Sequence, residues 1–420
     1  MKALFSRWAL DSGFILALLA LSAFGVAMIY STGQLNVPSP VVEGAWIRQL
    51  VWFVFGLTAF TIISRISSNW IEWISVPAYV LAVVLLAVTL VVGTGRGTAA
   101  GVTSFLQFGG FQFQPAEVAK IATILALARL MASRVEAPGH GSGRSRSWQL
   151  TDVIAPCALV GLPLLLVLLQ PDLGTAMAFV GILMAVLFWS GIPLTYLFLL
   201  VSPAIALIVS FNTWLFSAYM VALIGLLHLR RSRLYTFEYV AVLVFNLAVG
   251  TVARLLWDSL APYQQNRVLV FLDPGLDPRQ AGYHLVQSKV AIGSGGMTGK
   301  GFTLGTQKRF DFLPEQHTDF IFAVIGEEFG FVGTVLVLSG FAYVLLRLIR
   351  MATGTGSHFA SFVLFGIFGA WITHVFVNTG MTVGLVPVTG IPLPFISYGG
   401  SFLLMCWVAA ALAVRVARRN

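Results

Sequence analysis

Twelve long apolar runs divide this chain, and they leave almost no sequence from which to build a soluble fold. They lie at about 12–30, 46–63, 74–93, 116–132, 151–169, 174–191, 194–211, 213–229, 236–256, 319–346, 359–382 and 398–415. Crossing the hydrocarbon of a bilayer takes about 20 residues as a helix. In lipid only helices and closed barrels satisfy every backbone group. The runs are continuous and do not alternate, so the helix is the expected form. Only 10% of residues are charged, against about a quarter in soluble domains. The expected fold is all-α: one polytopic integral membrane bundle over 1–420 with about 12 transmembrane helices and a large external loop. The first run is long for a signal peptide and is followed directly by further spans, which favours an uncleaved anchor. Cys157 and Cys406 both sit in apolar runs, with no metal spacing and no disulfide framework.

The charges set the orientation. Lys2 and Arg7, Arg65, then Arg129, Arg134, Arg144 and Arg146 fall in alternate loops. So do Arg230, Arg231 and Arg233, then Arg347 and Arg350, and finally Arg415, Arg418 and Arg419. Positive charge stays on the cytoplasmic side, so both termini are expected inside. Topology therefore accounts for most of the net charge of +9, and no nucleic-acid partner is needed. The Gly-, Ser- and Arg-rich stretch 133–148 reads as a flexible cytoplasmic loop.

The stretch 257–318 comes out external yet carries Arg267, Arg279, Lys289, Lys300, Lys308 and Arg309. It is also rich in glycine and apolar residues, so it is expected to fold on or into the membrane surface. Cations dispersed among glycines suit an extended anionic ligand such as a phosphate with a lipid tail. Ser294 to Gly301 imitates a P-loop, but Ser294 and Gly301 stand where the pattern needs Gly and Ser or Thr. No nucleotide site is expected.

Ionisable groups at membrane depth are candidates for function. Glu117 and Lys120, three residues apart, share a helix face and can neutralise each other. Asp172 lies in Gln170-Pro-Asp-Leu-Gly-Thr175, a break between two spans, where it suits an N-cap. Asp319 opens the tenth span after Glu315 and His317. An Asp there ordinarily caps the helix, but a membrane boundary also favours its use as a base. Glu327 and Glu328 follow two turns deeper, and one of them is expected to meet a basic partner. His374 and Asn378 are spaced for interhelical hydrogen bonds. The proline- and glycine-rich stretch from Pro387 to Ser401 must be non-helical, and such backbone at membrane depth has to line protein or a watery cleft.

These residues carry a resemblance. Phe113-Gln-Pro-Ala-Glu-Val-Ala-Lys120, Gln170-Pro-Asp-Leu-Gly-Thr175, Phe271-Leu-Asp-Pro274, Ala281-Gly-Tyr-His-Leu-Val-Gln-Ser-Lys289 and Ile292-Gly-Ser-Gly-Gly296 stand in order. Gly299-Lys-Gly301, Phe312-Leu-Pro-Glu-Gln-His-Thr-Asp-Phe-Ile-Phe-Ala323 and Pro392-Leu-Pro-Phe-Ile-Ser-Tyr-Gly-Gly-Ser401 complete the set. The sequence resembles the SEDS family (shape, elongation, division and sporulation), and most closely its rod-elongation branch. The resemblance implies a peptidoglycan glycosyltransferase that polymerises lipid II at the outer face of the bacterial cytoplasmic membrane. It implies a class B penicillin-binding protein transpeptidase as partner, within the elongation machinery. It also implies that Asp319 is essential and that Glu117, Lys120 and Asp172 are functionally sensitive. His317 and Ser397, inside the same motifs, join the candidate substrate-binding residues. The family usually has ten spans, which makes 213–256 an extra helix pair here. Ser104-Phe105 replaces the Arg-Trp that the family often carries.

Such a transfer needs a base at the acceptor hydroxyl and positive charge at the departing lipid diphosphate. Asp319 is the candidate base, and Arg267, Lys289 and Lys300 are the candidate cations. Asp319 equally suits a ligand to Mg2+ or Mn2+. A lipid II flippase and a non-catalytic activator of the transpeptidase are the alternative readings.

Overall fold

The computed structural model describes residues 2–36, 42–95, 104–108, 111–136, 150–229, 236–259, 265, 281–310, 312–313 and 315–418. Helices dominate it: α1 (Lys2–Thr32), α2 (Ala45–Ile63), α3 (Ser68–Val92), α4 (Pro115–Glu136), α5 (Ile154–Leu169), α6 (Leu173–Trp189) and α7 (Leu194–Val209). They continue as α8 (Thr213–Leu229), α9 (Thr236–Ser259), α10 (Ala281–Gly295), the short α11 (Thr306–Arg309), α12 (Ile321–Gly354), α13 (His358–Val383) and α14 (Gly400–Ala417). Every one of the twelve apolar runs falls on one of these helices. Among the described residues seven helices are long and apolar enough to cross a membrane, and α6, α7, α8 and the apolar stretch Phe237–Ala253 of α9 are shorter. The remaining run is α4, whose apolar character is interrupted by Glu117, Lys120 and Arg129.

α13 is the centre of the bundle. It packs on α4, α6, α10, α12 and α14, and most of its residues are buried, from Phe359 to Thr382. α14 packs against α2, and α3 against α4. α7, α8 and α9 pack mainly on one another and touch the rest through α6.

Three features depart from the sequence expectations. A small antiparallel hairpin, β1 (Leu106–Phe108) and β2 (Phe111–Phe113), precedes α4 in an otherwise all-α fold. Phe105 extends it by pairing with Thr94. Its strands are too short for periodicity to reveal. The second departure is α10, a full helix within the stretch 257–318 taken as a loop. Its Gly and Lys residues hide the pattern, but it packs against α12 and α13. Third, α12 starts at Ile321 rather than at Asp319, and no side chain caps it. The amides of Thr318, Asp319 and Phe320 all bond to the carbonyl of Glu315, forming a tight turn before the helix. Most of the cytoplasmic loop expected at 133–148 lies outside the described residues, with 133–136 finishing α4.

α12 is broken at Gly330, where φ is 63° and ψ is −158°. A broken helix orphans amides and carbonyls that must find partners when buried. Residues 296–301 supply them. Phe331 N bonds Gly296 O at 2.9 Å and Val332 N bonds Met297 O at 3.1 Å. On the other side Lys300 N and Gly301 N donate to the carbonyls of Glu327 and Glu328, each at 3.0 Å. Segment 296–301 is thus spliced into the helix. A Cβ on Gly330 would collide with the backbone of 296–299.

Candidate functional site

At one end of the bundle the starts of α2, α4, α6, α12 and α14 meet the ends of α5 and α13. The irregular segment 384–399 lies among them and organises the site.

The α4 motif works locally first. Pro115 opens the helix, as the missing amide permits. Gln114, just before it, donates from Nε2 to Asp172 Oδ2 at 2.8 Å. Asp172 caps α6 as expected: Oδ1 accepts from Thr175 N at 3.0 Å, and Oδ2 accepts from Thr175 Oγ1 at 2.8 Å. Gly174 then brings this turn against segment 389–391, since a Cβ there would lie 2.8 Å from Thr389 O.

Glu117 and Lys120 form the expected ion pair, at 2.8 Å. Both are buried. Lys120 Nζ also lies 2.9 Å from His374 Nε2, and His374 Nδ1 lies 2.9 Å from Pro392 O. An ammonium only donates and a carbonyl only accepts. The ring therefore carries its proton on Nδ1 and offers a lone pair to Lys120. The aromatic face of Phe402 sits 5.3 Å from the same ammonium.

One helical turn further along α13, Asn378 donates to Asp319 O at 2.9 Å and to Ile391 O at 2.7 Å. Two carbonyls on one amide nitrogen fix its orientation, which leaves Oδ1 buried and unbonded. His374 and Asn378 thus bind the site segment and the Asp319 turn more than they bridge helices.

Asp319 is half-buried. Its Oδ2 faces Gly390, whose φ is 73° and whose added Cβ would lie 3.2 Å away. The turn beneath it is tied down from behind. Ser397 Oγ donates to Thr318 O at 2.6 Å and accepts from Leu393 N at 2.8 Å. Tyr398 N bonds His317 O at 2.8 Å, and the two rings lie 5.4 Å apart. Gln49 closes the arrangement from α2, with bonds to Ser397 O and from Gly399 N, each at 3.2 Å. Glu315 and Phe395 hold positive φ, at 49° and 64°, conformations that cost about 1–3 kcal/mol each and cluster at functional sites.

The sequence candidates therefore separate. Asp319 faces the site segment. Ser397 and His317 are buried and hold the turn. Asp172 is engaged as a cap. Lys289 is exposed and lies across Gly384 at the end of α13. Lys300 is instead paired with Glu327 Oε1 at 2.7 Å. Arg267 lies outside the described residues. Gln49, Gln114 and Asn378 complete the site; the sequence signalled Gln114 through its motif and Asn378 only as an interhelical contact, and gave no signal for Gln49.

Both deeper glutamates find a cation, where one was expected to. Glu328 pairs with Lys308 at 2.5 Å, and both are fully buried. Burial pushes the Lys308 ammonium below its ordinary value, and Glu328 opposes that shift. Among the described residues no three of His, Cys, Asp and Glu gather as a metal's ligands. The described side chains around Asp319 do not by themselves make a site for Mg2+ or Mn2+.

A family model for FtsW/RodA/SpoVE cell cycle proteins matches residues 12–238 and 217–420. The chain is 32% identical to the peptidoglycan glycosyltransferase RodA of Treponema pallidum, covering 97% of each chain. It is 32% identical to the peptidoglycan glycosyltransferase MrdB of Escherichia coli, over 99% of this chain and 95% of that one. A chain from a peptidoglycan synthase complex, solved for its structural coordination of polymerization and crosslinking, superposes with a TM-score of 0.68. That chain is 28% identical, with 97% of each covered.

Proposed function

This chain belongs to the FtsW/RodA/SpoVE family, and from that premise we propose that it is a peptidoglycan glycosyltransferase that polymerises lipid II for cell-wall elongation. It is a multi-pass bacterial membrane protein. The outer face carries the site, and the arginine-rich helix ends at the other side of the bundle are cytoplasmic.

Extending the glycan joins the acceptor GlcNAc O4 to the donor MurNAc C1. The bond from C1 to the diphosphate oxygen breaks, and lipid diphosphate leaves. The acceptor hydroxyl must lose its proton, and Asp319 is placed to take it. The observation that carries this reading is the setting of Asp319. Its turn is fixed from behind by Ser397, Tyr398 and Asn378, while Oδ2 faces the irregular segment across Gly390. Rigid support of a reacting group is what such chemistry requires. The diphosphate is already an able leaving group and needs cations more than an acid. Lys289 is exposed at the same end and serves there, with Arg267 as a second candidate. Lys300 is already neutralised by Glu327 and belongs to the scaffold. Glu117, Lys120 and Asp172 support the walls of the site. No step is assigned to a divalent cation. A class B penicillin-binding protein crosslinks the product.

The flippase alternative needs a polar track through the bilayer. Glu117 pairs with Lys120 and Glu328 with Lys308, and Asp319, Asp172 and segment 384–399 share one end. That distribution favours surface chemistry. The deciding experiment is lipid II polymerisation by the purified protein with its transpeptidase, crosslinking blocked by a β-lactam. Glycan chains from wild type and none from folded Asp319→Ala are expected. Lipid II crossing liposome membranes without polymer from either protein overturns the reading.

A further inference from the structure

Glu327 and Glu328 are consecutive on α12, so their side chains leave the helix about 100° apart. Both are fully buried. Yet both reach the same four-residue helix, α11. Glu327 Oε1 accepts from Thr306 N at 2.8 Å and Gln307 N at 3.0 Å, capping α11 from a distance. It accepts from Lys300 Nζ and from Thr306 Oγ1 as well. Gly305 admits this approach, because a Cβ there would lie 2.6 Å from Glu327 Oε2. Glu328 takes the other side of α11 through Lys308, whose Nζ also bonds the carbonyl and hydroxyl of Ser31 at the end of α1. Ser31 Oγ in turn meets both Glu328 oxygens, at 2.6 and 2.8 Å.

Asp319 lies between α11 and these glutamates. The chain between α11 and Glu327, which carries the Glu315 turn and the start of α12, therefore closes as a loop whose two ends are fastened together at 306–308 and 327–328. Closing a loop at its base removes conformational freedom from everything it carries. The backbone splice at Gly330 adds a second fastening just beyond it.

We propose that Glu327 and Glu328 are positioning residues for polymerisation: through α11 they clamp the base of the loop that carries Asp319 and hold its carboxylate in place. This rests on the reading of Asp319 as the base. Both glutamates are fully buried; Glu327 Oε1 serves α11 and Lys300, and the Glu328 oxygens serve Lys308 and Ser31.

The test uses the full chain with its class B partner, lipid II and a β-lactam, read as kcat and KM. Glu328→Met leaves Lys308 buried without its partner, and kcat is expected to fall about 100-fold, the effect of roughly 1 Å of misplacement, with KM little changed. The double variant Lys308→Met/Glu328→Met replaces the pair by apolar side chains of similar size, an exchange that buried ion pairs commonly tolerate. It is expected to regain most of the lost kcat. A folded double variant as inactive as the single one would show that the carboxylate is needed chemically and would overturn the proposal. Wild-type kcat in Glu328→Met also overturns it. If the single variant does not fold, the double variant decides alone. Glu327→Gln keeps an acceptor for the α11 amides and is expected to lose a smaller part of kcat; a loss confined to KM would make Glu327 a binding residue instead. Adding Asp319→Ala to the active double variant separates the two readings. Activity surviving there sinks Asp319 as the base, whatever the clamp does.

Discussion

Two regions of this protein bury polar side chains between helices, and they do it in different ways. In the α7–α9 group the central polar residues Ser202, Tyr219 and Asn246 are neutral and serve each other, while the buried acid Glu238 sits apart from them in the first turn of α9. Asn246 Nδ2 donates to Ser202 Oγ at 3.0 Å and to Val242 O at 2.9 Å. Tyr219 shares its hydroxyl between Ser202 O at 2.7 Å and Asn246 Oδ1 at 2.9 Å. At the Asp319 end the buried groups include charges, and the backbone holds positive φ at Glu315 and Phe395. Acceptors there are left unbonded at Asn378 Oδ1 and Thr389 Oγ1. Neutral, closed networks are the usual adhesive between membrane helices. Charge, strain and incomplete bonding are retained where a site needs them. The contrast predicts which substitutions will disturb chemistry and which only packing.

The sharpest contrast comes from Asp319→Asn. Loss of a general base costs about 10²–10⁴ in rate. Polymerisation should fall by that much, while the melting temperature in detergent stays near wild type, because the Asp319 carbonyl still accepts from Asn378. A large stability loss with proportionate activity would move Asp319 to the structural side of the comparison.

Lys120→Met should act on both stability and rate. It leaves Glu117 buried with no cation and removes the donor to His374. Breaking one side of a buried pair costs about 3–5 kcal/mol. Glu117→Gln with Lys120→Met should recover much of the stability in a denaturation assay, because no lone charge remains. If the double variant is no better than the single one, the pair does not act as a unit.

Gly390→Ala should be milder. The residue holds a φ of 73°, and the new methyl would lie 3.2 Å from Asp319 Oδ2. Strain of about 1–3 kcal/mol and a displaced carboxylate are expected to lower kcat about tenfold, an effect smaller than full misplacement. A changed KM with unchanged kcat would place Gly390 in substrate binding instead.

Periodicity and charge made the helices legible, because hydrocarbon demands long apolar runs and the arginines mark one side. The pairing of Glu117 with Lys120 and the capping role of Asp172 were legible too, since both rest on local spacing. What the sequence hid is non-local. Asn378 looked like a helix-to-helix contact because nothing local shows that the carbonyls of Asp319 and Ile391 lie opposite it. Glu327 and Glu328 suggested one partner because Lys300 and Lys308 approach from a segment whose splice into α12 depends on Gly330. Asp319 resembled an ordinary cap until the turn on Glu315 O showed where its amide goes.

The smallest effect is expected in the other region. Asn246→Leu removes the centre of the α7–α9 network, leaving Tyr219 with Ser202 O and Ser202 with Leu199 O as partners. Both survivors keep a hydrogen bond, so no group is stranded. Interhelical hydrogen bonds in membranes average about 0.6 kcal/mol and reach about 1.7, and the leucine adds apolar contact. Stability should fall by no more than that range, and kcat and KM for lipid II should not move. The helices concerned touch the remainder of the bundle chiefly through α6, so a local loosening has little structure through which to reach Asp319. A loss of polymerisation in folded Asn246→Leu would break the comparison, because it would show that these three helices set the geometry of a site they do not line.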